Sequence, residues 1–366
     1  MAHHVHRIGV LTSGGDCPGL NAVIRAVIKT AVYRYGLEVI GILDGFIGLV
    51  ENRTRPLAAT DASNILTLGG TILGTHNKLH PLRYPVRRNG RVDTVDMTDT
   101  MIRHIEANGL DALIVIGGEG SLAIAAHLNR HGVPIVAIPK TIDNDVPECD
   151  ASVGFDTAVA VATEAIDRVH TTAISHHRVM IVEVMGRHSG WLALYAGVAS
   201  GSDVILIPEI PYRLNAVCAA IQERERIGKR FSIVCVAEGA HPQGGSVVIQ
   251  AVEPDSDQRV RLGGIGFRLA REIHAATGIE CRAVLLGYVQ RGGVPTPRDR
   301  LLATVYGQRA VDIAVRGRFG QMVTYRSGQW DTVDLAHIAG RQRHVPLDHP
   351  LIAAARAVGT RFGDEP

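Results

Sequence analysis

Aromatic residues are scarce in this chain: Phe, Trp and Tyr together make up 4% of 366 residues. So few stacking platforms count against general binding of single-stranded nucleic acid. Excess charge of either sign is also missing, because 38 Lys and Arg nearly cancel 36 Asp and Glu. A protein that gripped a phosphate backbone would carry a basic surplus, so no nucleic-acid partner is expected. Cysteine is sparse as well. Cys17, Cys149, Cys218, Cys235 and Cys281 are odd in number, scattered and never spaced C-x-x-C. They read as reduced thiols rather than a disulfide frame or a zinc site. No apolar run approaches the ~18 residues of a membrane span. The opening MAHHVHRIGVLTSGG lacks a signal peptide's apolar core and cleavage site. No membrane association is expected, and a cytoplasmic location is.

Ordinary globular composition is present: 46% hydrophobic and 20% charged residues, enough to bury sizeable cores. The length suggests roughly two domains. Glycine is in surplus, at 40 residues, against a usual share of ~7%. Gly-Gly pairs begin at Gly14, Gly69, Gly117, Gly244, Gly263 and Gly292, several of them directly after β-branched apolar runs. Glycine at such places lets the backbone turn tightly or approach a ligand.

The pattern from Arg7 is strand (IGVLT), glycine loop (SGGDCPG) and helix (LNAVIRAVIKTAVYRYG). It recurs with a strand from Ala112 to Ile116, Gly117 and Gly118, and a helix. A strand from Pro134 to Ile138 then leads into a polar loop to Asp145. Beyond it come a helix over about 156–175, the strand RVMIVEVMG, the helix WLALYAGVA and the strand DVILIP. A helix near 216–226, the strand FSIVCVAEG and a charged hairpin-like stretch to Arg261 follow. The helix IGFRLAREIHAATG, the strand RAVLLGYVQRGG and a helix over about 299–316 complete the pattern. Alternation of this kind predicts parallel sheets with helices on both faces. The histidines His3, His4 and His6 read as a polar terminus rather than a metal cluster.

Neither early glycine loop matches G-x-x-x-x-G-K-[ST] or G-x-G-x-x-G, so a P-loop is absent and an oxidoreductase reading has no fingerprint. Both loops still sit where α/β sheets bind phosphates, between a strand's carboxyl end and a helix N-terminus. In PKTIDNDVP, Asp143 and Asp145 straddle Asn144 after a buried strand. If the segment is extended, alternation points both carboxylates to one side. One of them could accept a hydroxyl proton while the other, or Glu119, helps hold Mg²⁺ through its waters. The same residues also suit a helix cap or an Asx turn. Arg178 and Arg187 stand at opposite ends of one expected strand, as do Arg282 and Arg291. Nine strand residues span roughly 30 Å, so a single phosphate cannot meet both ends within one subunit. That spacing points to a site shared between subunits, with arginine forks suited to phosphate.

The segments GGDCPGLNAVIR, GGTILGT, IGGEGS, PKTIDND, VEVMGRHSGW and LGYVQRGGVPTPRDR occur in one order. Together they resemble the phosphofructokinase family over roughly residues 7–325. Lys140 before TIDND further resembles the branch whose members use ATP or pyrophosphate. The resemblance implies two doubly wound three-layer α/β/α domains with the active site in the cleft between them. Residues 1–154 with about 291–343 would bind the donor, and about 155–290 with 344–366 the sugar phosphate. The implied reaction moves the terminal phosphoryl group of ATP to the 1-hydroxyl of fructose 6-phosphate, with Mg²⁺, and with pyrophosphate as the alternative donor.

By the same resemblance Asp143 is the base, Thr141 contacts the incoming phosphoryl group, and Asp145, Arg187 and Lys140 serve the same centre. Gly14, Asn77 and Lys78 lie by the donor phosphates. Gly118, Gly120 and Ser121 line the donor pocket, and Glu119 takes the metal-binding position. Met185, Gly186, Arg187, Glu238, Tyr288 and Arg291 would hold the sugar phosphate, and Arg178 and Arg282 would reach in from a neighbour in a homotetramer or homodimer. Some positions depart from the better-known bacterial pattern. Asn77 stands where an arginine is usual, Tyr288 replaces a histidine, and Lys29, Ala59 and His170 occupy expected effector arginine positions. The donor cues conflict, since Lys140 follows the pyrophosphate users and Gly120 the ATP users. Glycine at 120 leaves room for the rest of a nucleotide, which favours ATP. A pyrophosphate enzyme and a non-catalytic sugar-phosphate-binding subunit are the rival readings.

Overall fold

The computed structural model describes residues 5–88, 91–252 and 260–365; His3 and His4 lie outside them. The first part of the chain forms β1 (Arg7–Thr12), α1 (Leu20–Tyr35), β2 (Glu38–Ile42), α2 (Gly45–Val50) and β3 (Thr54–Leu57). The hairpin β4 (Tyr84–Arg88) and β5 (Arg91–Val95) follows, then α3 (Thr98–Ala107), β6 (Ala112–Gly117), α4 (Glu119–Arg130) and β7 (Ile135–Pro139). The middle part forms α5 (Phe155–His176), β8 (Val179–Val184), α6 (Trp191–Ala199), β9 (Val204–Leu206), α7 (Leu214–Arg226) and β10 (Ser232–Ala237). After the pair β11 (Ile249–Val252) and β12 (Val260–Leu262) come α8 (Ile265–Thr277) and β13 (Cys281–Leu285). The last part is α9 (Pro297–Val315), β14 (Gln321–Arg326), β15 (Gln329–Asp334), α10 (Leu335–Ile338) and α11 (Pro350–Ala357).

The larger sheet has the order β15-β14-β7-β6-β1-β2-β3, and the smaller one β13-β8-β10-β9. The smaller sheet is parallel throughout. The larger differs from the all-parallel expectation at its two edges, where β3 runs antiparallel to β2 and β15 to β14. β15 is reached from β14 by a two-residue turn, which joins antiparallel neighbours far more cheaply than a crossover, whereas β3 follows β2 through the short helix α2. In β8 the period-two alternation divides the core. Met180, Val182 and Val184 join the large cluster shared with the first unit, while Val179 and Ile181 join a second cluster with Ile265 and Leu269 of α8. Strands buried on both faces read as apolar runs, which is why β1, β6 and β10 stand out in the sequence, while β8 carries the buried Glu183 within its run.

β8 is six residues long rather than nine. The strand expected over RAVLLGYVQRGG stops at Leu285, and a 3₁₀ turn occupies Gly287–Arg291. Gly287 at φ +50° turns the chain out of the extended state. The motif residue Asp299 serves structure: its carboxylate accepts from the Gly154 and Thr157 amides at 3.0 and 2.9 Å, capping α5. All five cysteines are free and buried. No helix among the described residues is long and apolar enough to cross a membrane.

Candidate active site

In the larger sheet the chain leaves β1 toward β2 on one side and returns to β6 on the other, so β1 and β6 flank a topological switch point. Crevices form at the carboxyl ends of strands at such points. Here the loops after β1, β6 and β7 open onto a cavity of about 600 Å³. A second cavity, about 430 Å³, is lined from the carboxyl ends of β8, β10 and β13 and from the β1 loop. Gly14, Asn77, Asp143, Arg187 and Arg291 line both, so the two spaces meet there.

Gly14 has φ +84°, a conformation that favours glycine, and its carbonyl accepts from Thr75 Oγ1 at 2.7 Å. This bond clips the segment carrying Asn77 against the first loop. Gly118, Glu119, Gly120 and Ser121 line the larger cavity at the start of α4. A Cβ at Gly120 would meet nothing within 4 Å. The exposed Lys78 lines only the smaller cavity, apart from this donor-side group.

Lys140 is buried, 3% exposed, and its Nζ donates to the Gly15 carbonyl. Burial pushes the ammonium pKa down, and burial pushes the neighbouring Cys17 thiol up to about 12. Asp143 and Asp145 both line the larger cavity, with Lys140 and Thr141. They do not get there by strand alternation: Asn144 between them has φ +51°, so the extended segment of the sequence reading is a turn. The Asn144 side chain fixes that turn, donating to the Asp150 carbonyl at 3.0 Å and accepting from the Ser152 amide at 3.0 Å. Thr141 Oγ1 accepts from the Asp143 amide at 3.0 Å.

One Asp143 oxygen, Oδ1, is enclosed without a hydrogen-bond partner. Burial, then the Asp145 charge, raises the Asp143 carboxyl to about 6, against the pull of Arg291 and Lys140. Burial followed by Asp145 also raises Glu119. Glu238 is pushed up to about 7, by burial and then by Asp143 and Glu183. Unpaired acids crowded into a half-buried cleft suit proton transfer and cation binding.

Met185, Arg187, Glu238, Tyr288 and Arg291 line the smaller cavity. Gly186, at φ +136°, bends the chain between Met185 and Arg187, and its carbonyl accepts from the Gly239 amide at 3.0 Å. Arg178 and Arg282 line neither cavity. They stand at the amino ends of β8 and β13, both on Glu280 Oε1, at 3.4 and 2.6 Å. Sequence reasoning missed Gly15, Asp16, His76, His188 and Gln342, which also line the cleft. Gly15 had a signal in its glycine pair, and a Cβ there would come within 2.7 Å of Arg291 Nη1. Gln342 had none, since it comes from a segment without motifs.

Comparison with known proteins identifies the family. The family model for phosphofructokinase matches residues 7–314. An ATP-dependent 6-phosphofructokinase of Chloroflexus aurantiacus is 50% identical over 366 residues, covering 100% of both chains. One from Synechocystis is 47% identical, covering 99% of each. Among solved structures, phosphofructokinase from Saccharomyces cerevisiae superposes with a TM-score of 0.77 at 29% identity, over 91% of this chain and 45% of that one. A pyrophosphate-dependent phosphofructokinase from Nitrosospira multiformis, 21% identical over 98% of this chain and 93% of its own, has the same fold at a TM-score of 0.79. With the family's motifs gathered at one cleft and its profile spanning most of the sequence, this chain belongs to the phosphofructokinase family.

Proposed function

We infer that this chain transfers the terminal phosphoryl group of ATP to the 1-hydroxyl of fructose 6-phosphate, a kinase step of glycolysis that yields ADP and fructose 1,6-bisphosphate. The observation that carries the reading is Asp143, a carboxylate with one enclosed, unpartnered oxygen where the two cavities meet. A base at that junction accepts the hydroxyl proton from one side while the donor's phosphate lies in line on the other. Thr141 and Asp145 support the same centre. Arg187 and Arg291, lining both cavities, neutralise charge on the moving group, and Lys140 does so on the leaving group.

The donor occupies the larger cavity, against Gly14, Asn77, Gly118, Glu119, Gly120 and Ser121. Open space at Gly120 supports a whole nucleotide over pyrophosphate. The sugar phosphate occupies the smaller cavity, against Met185, Gly186, Arg187, Glu238, Tyr288 and Arg291, with Lys78 on that side. Residues 1–154 with 291–343 form the donor unit, and 155–290 with 344–366 the sugar unit. The pairing of β14 with β7 and the bridge from Arg361 to Val204 support this division.

Among the described residues no group of three or more His, Cys, Asp or Glu could hold a metal by itself. Mg²⁺ does not need one, because it commonly takes one or two carboxylates and completes its shell with waters and phosphate oxygens. Glu119, with Asp145 near it, fits that requirement. Bound there, Mg²⁺ would offset charge on the donor phosphates. Arg178 and Arg282 serve the sugar phosphate of a neighbouring copy in a homotetramer or homodimer. The exposed Arg282 side chain, at the amino end of β13 and outside the cleft of its own chain, supports this role. The enzyme works in the cytoplasm.

The deciding experiment measures initial rates on fructose 6-phosphate with saturating ATP and, separately, saturating pyrophosphate. ATP is expected to be the faster donor, and faster turnover with pyrophosphate would overturn the choice.

A further inference from the structure

The turn bearing Asp143 and Asp145 is braced from a segment that carries no family motif. Arg343 lies between α10 and α11. Its amide donates to the Asp145 carbonyl at 2.7 Å. Its guanidinium donates to the Asn144 carbonyl twice, from Nε at 3.2 Å and Nη2 at 3.0 Å, with Nη1 3.6 Å from Asp150 Oδ1. The same guanidinium lies over the Trp191 ring, 4.4 Å from its centre. The Arg343 carbonyl accepts from Trp191 Nε1 at 3.1 Å and from Ser189 Oγ at 3.4 Å.

Trp191 opens α6, and Ser189 stands two residues after Arg187. Arg343 therefore bonds at once to the turn that carries two cleft carboxylates and to the loop that carries Arg187. It lines neither cavity itself. A planar guanidinium can stack on a ring and direct two N–H groups at one carbonyl, whereas a lysine ammonium cannot do both. The brace matters because Asn144 sits in the left-handed region, where the backbone relaxes readily if its bonds are cut.

We propose that Arg343 is a positioning residue for phosphoryl transfer, fixing the Asp143 carboxylate relative to Arg187 by holding the Asn144 carbonyl against the Trp191 face. The proposal rests on Asp143 being the base, so the test includes that residue. Full-length Asp143→Asn, Arg343→Ala, Arg343→Lys and Arg341→Ala are assayed with ATP and fructose 6-phosphate, and folding is followed by circular dichroism. Arg341 is an exposed control whose guanidinium donates to the His337 carbonyl at 3.1 Å.

Arg343→Ala is expected to fold and to lose kcat by about 10²-fold, the scale of a displaced catalytic group, with both KM values within about threefold of the original. Arg343→Lys falls between, and Arg341→Ala matches the unmodified protein. Added guanidinium ion restores part of the Arg343→Ala rate and none of the Asp143→Asn rate. Folded Arg343→Ala with more than about half of its kcat, or with its loss in KM alone, overturns the proposal. If Arg343→Ala does not fold, Arg343→Lys decides: reduced kcat in a folded protein supports the brace, and full kcat overturns it. Turnover retained by Asp143→Asn would bring down the base assignment and the brace together. An inactive Asp143→Asn beside an active Arg343→Ala would bring down the brace alone.

Discussion

The cleft and the rim of this molecule treat charge in opposite ways. In the cleft Asp143, Asp145, Glu119 and Glu238 all have carboxyls raised chiefly by burial, and Lys140 is pushed the other way. Asp143 Oδ1 finds no donor at all. At the rim, at the amino ends of β8 and β13, Arg178 and Arg282 share Glu280. Six strand residues, roughly 20 Å, separate the two environments along β8. Folding alone favours the rim, where opposite charges meet, over a buried charge left uncompensated, which costs several kcal/mol. The difference teaches that the cleft keeps carboxyls which folding alone does not favour, so changes in the cleft should act on turnover and changes at the rim on assembly and affinity.

The largest effect that can break this contrast is at Asp143. Asp143→Asn should keep the fold and sugar-phosphate binding while lowering kcat by a factor of about 10² to 10⁴. The base must be ionised to work, so kcat/KM of the unmodified enzyme should fall as pH drops through about 6, where the Asp143 carboxyl titrates. Steady-state rates across pH check both outcomes, and near-normal turnover in the variant would remove the catalytic meaning of the cleft. Next comes a charge added rather than removed. A Cβ at Gly120 meets nothing within 4 Å, so Gly120→Asp should melt like the original. Its ATP kcat/KM should drop by on the order of 10- to 100-fold through repulsion and lost space, the worth of one or two hydrogen bonds to a charged group. Pyrophosphate turnover should change far less. An unaltered ATP kcat/KM would show that the open space at Gly120 is not where the nucleotide lies.

At the rim the expected effects are smaller and depend on a second copy. Arg178→Ala and Arg282→Ala should each raise the KM for fructose 6-phosphate by about tenfold or more, since charge-assisted bonds contribute roughly 1.5 to 3 kcal/mol. Both side chains stand outside the cavities of their own chain, so on the proposed shared site the loss would be felt at a neighbour's cavity. Mixed oligomers of Asp143→Asn and Arg178→Ala chains should regain activity by assembling some intact sites. Hybrids verified by mass that recover nothing would confine the rim to a structural part.

Much of the cleft was legible because it lies where buried parallel strands end. β1, β6 and β7 are apolar runs stopped by Gly14, Gly118 and Lys140, and local periodicity suffices to see them. Asp143 and Asp145 do face one cavity, yet the reason is the left-handed Asn144, a turn that alternation cannot foresee. The 3₁₀ turn at Gly287–Arg291 was hidden by the apolar run before it, and it brings Tyr288 and Arg291 to the smaller cavity. What stayed illegible is non-local. The bond from Lys140 to Gly15 and the brace from Arg343 to Asn144 join residues far apart in sequence, and no period or spacing encodes them.

The smallest expected effect is one of stability, and it sharpens the contrast from the folding side. Glu238 titrates at about 7 in the folded protein, against an ordinary value of 4.5. Its folded form therefore binds the proton more tightly than its unfolded form does. The resulting stability is fully present below the unfolded value and is lost as pH rises through about 7. Above that pH the cleft holds a carboxylate that burial, Asp143 and Glu183 all disfavour. Glu238→Gln keeps the shape and never carries the charge. Its melting temperature should match the original near about pH 5 and exceed it by about 1–2 °C near about pH 8. The rim control Glu280→Gln, which weakens the ion pairs with Arg178 and Arg282, should gain nothing at either pH, because surface pairs contribute between about zero and 1 kcal/mol. A Glu238→Gln protein no more stable than the original at the higher pH would mean that the carboxylate is well solvated, and the cleft would then tolerate charge at that position as easily as the rim does.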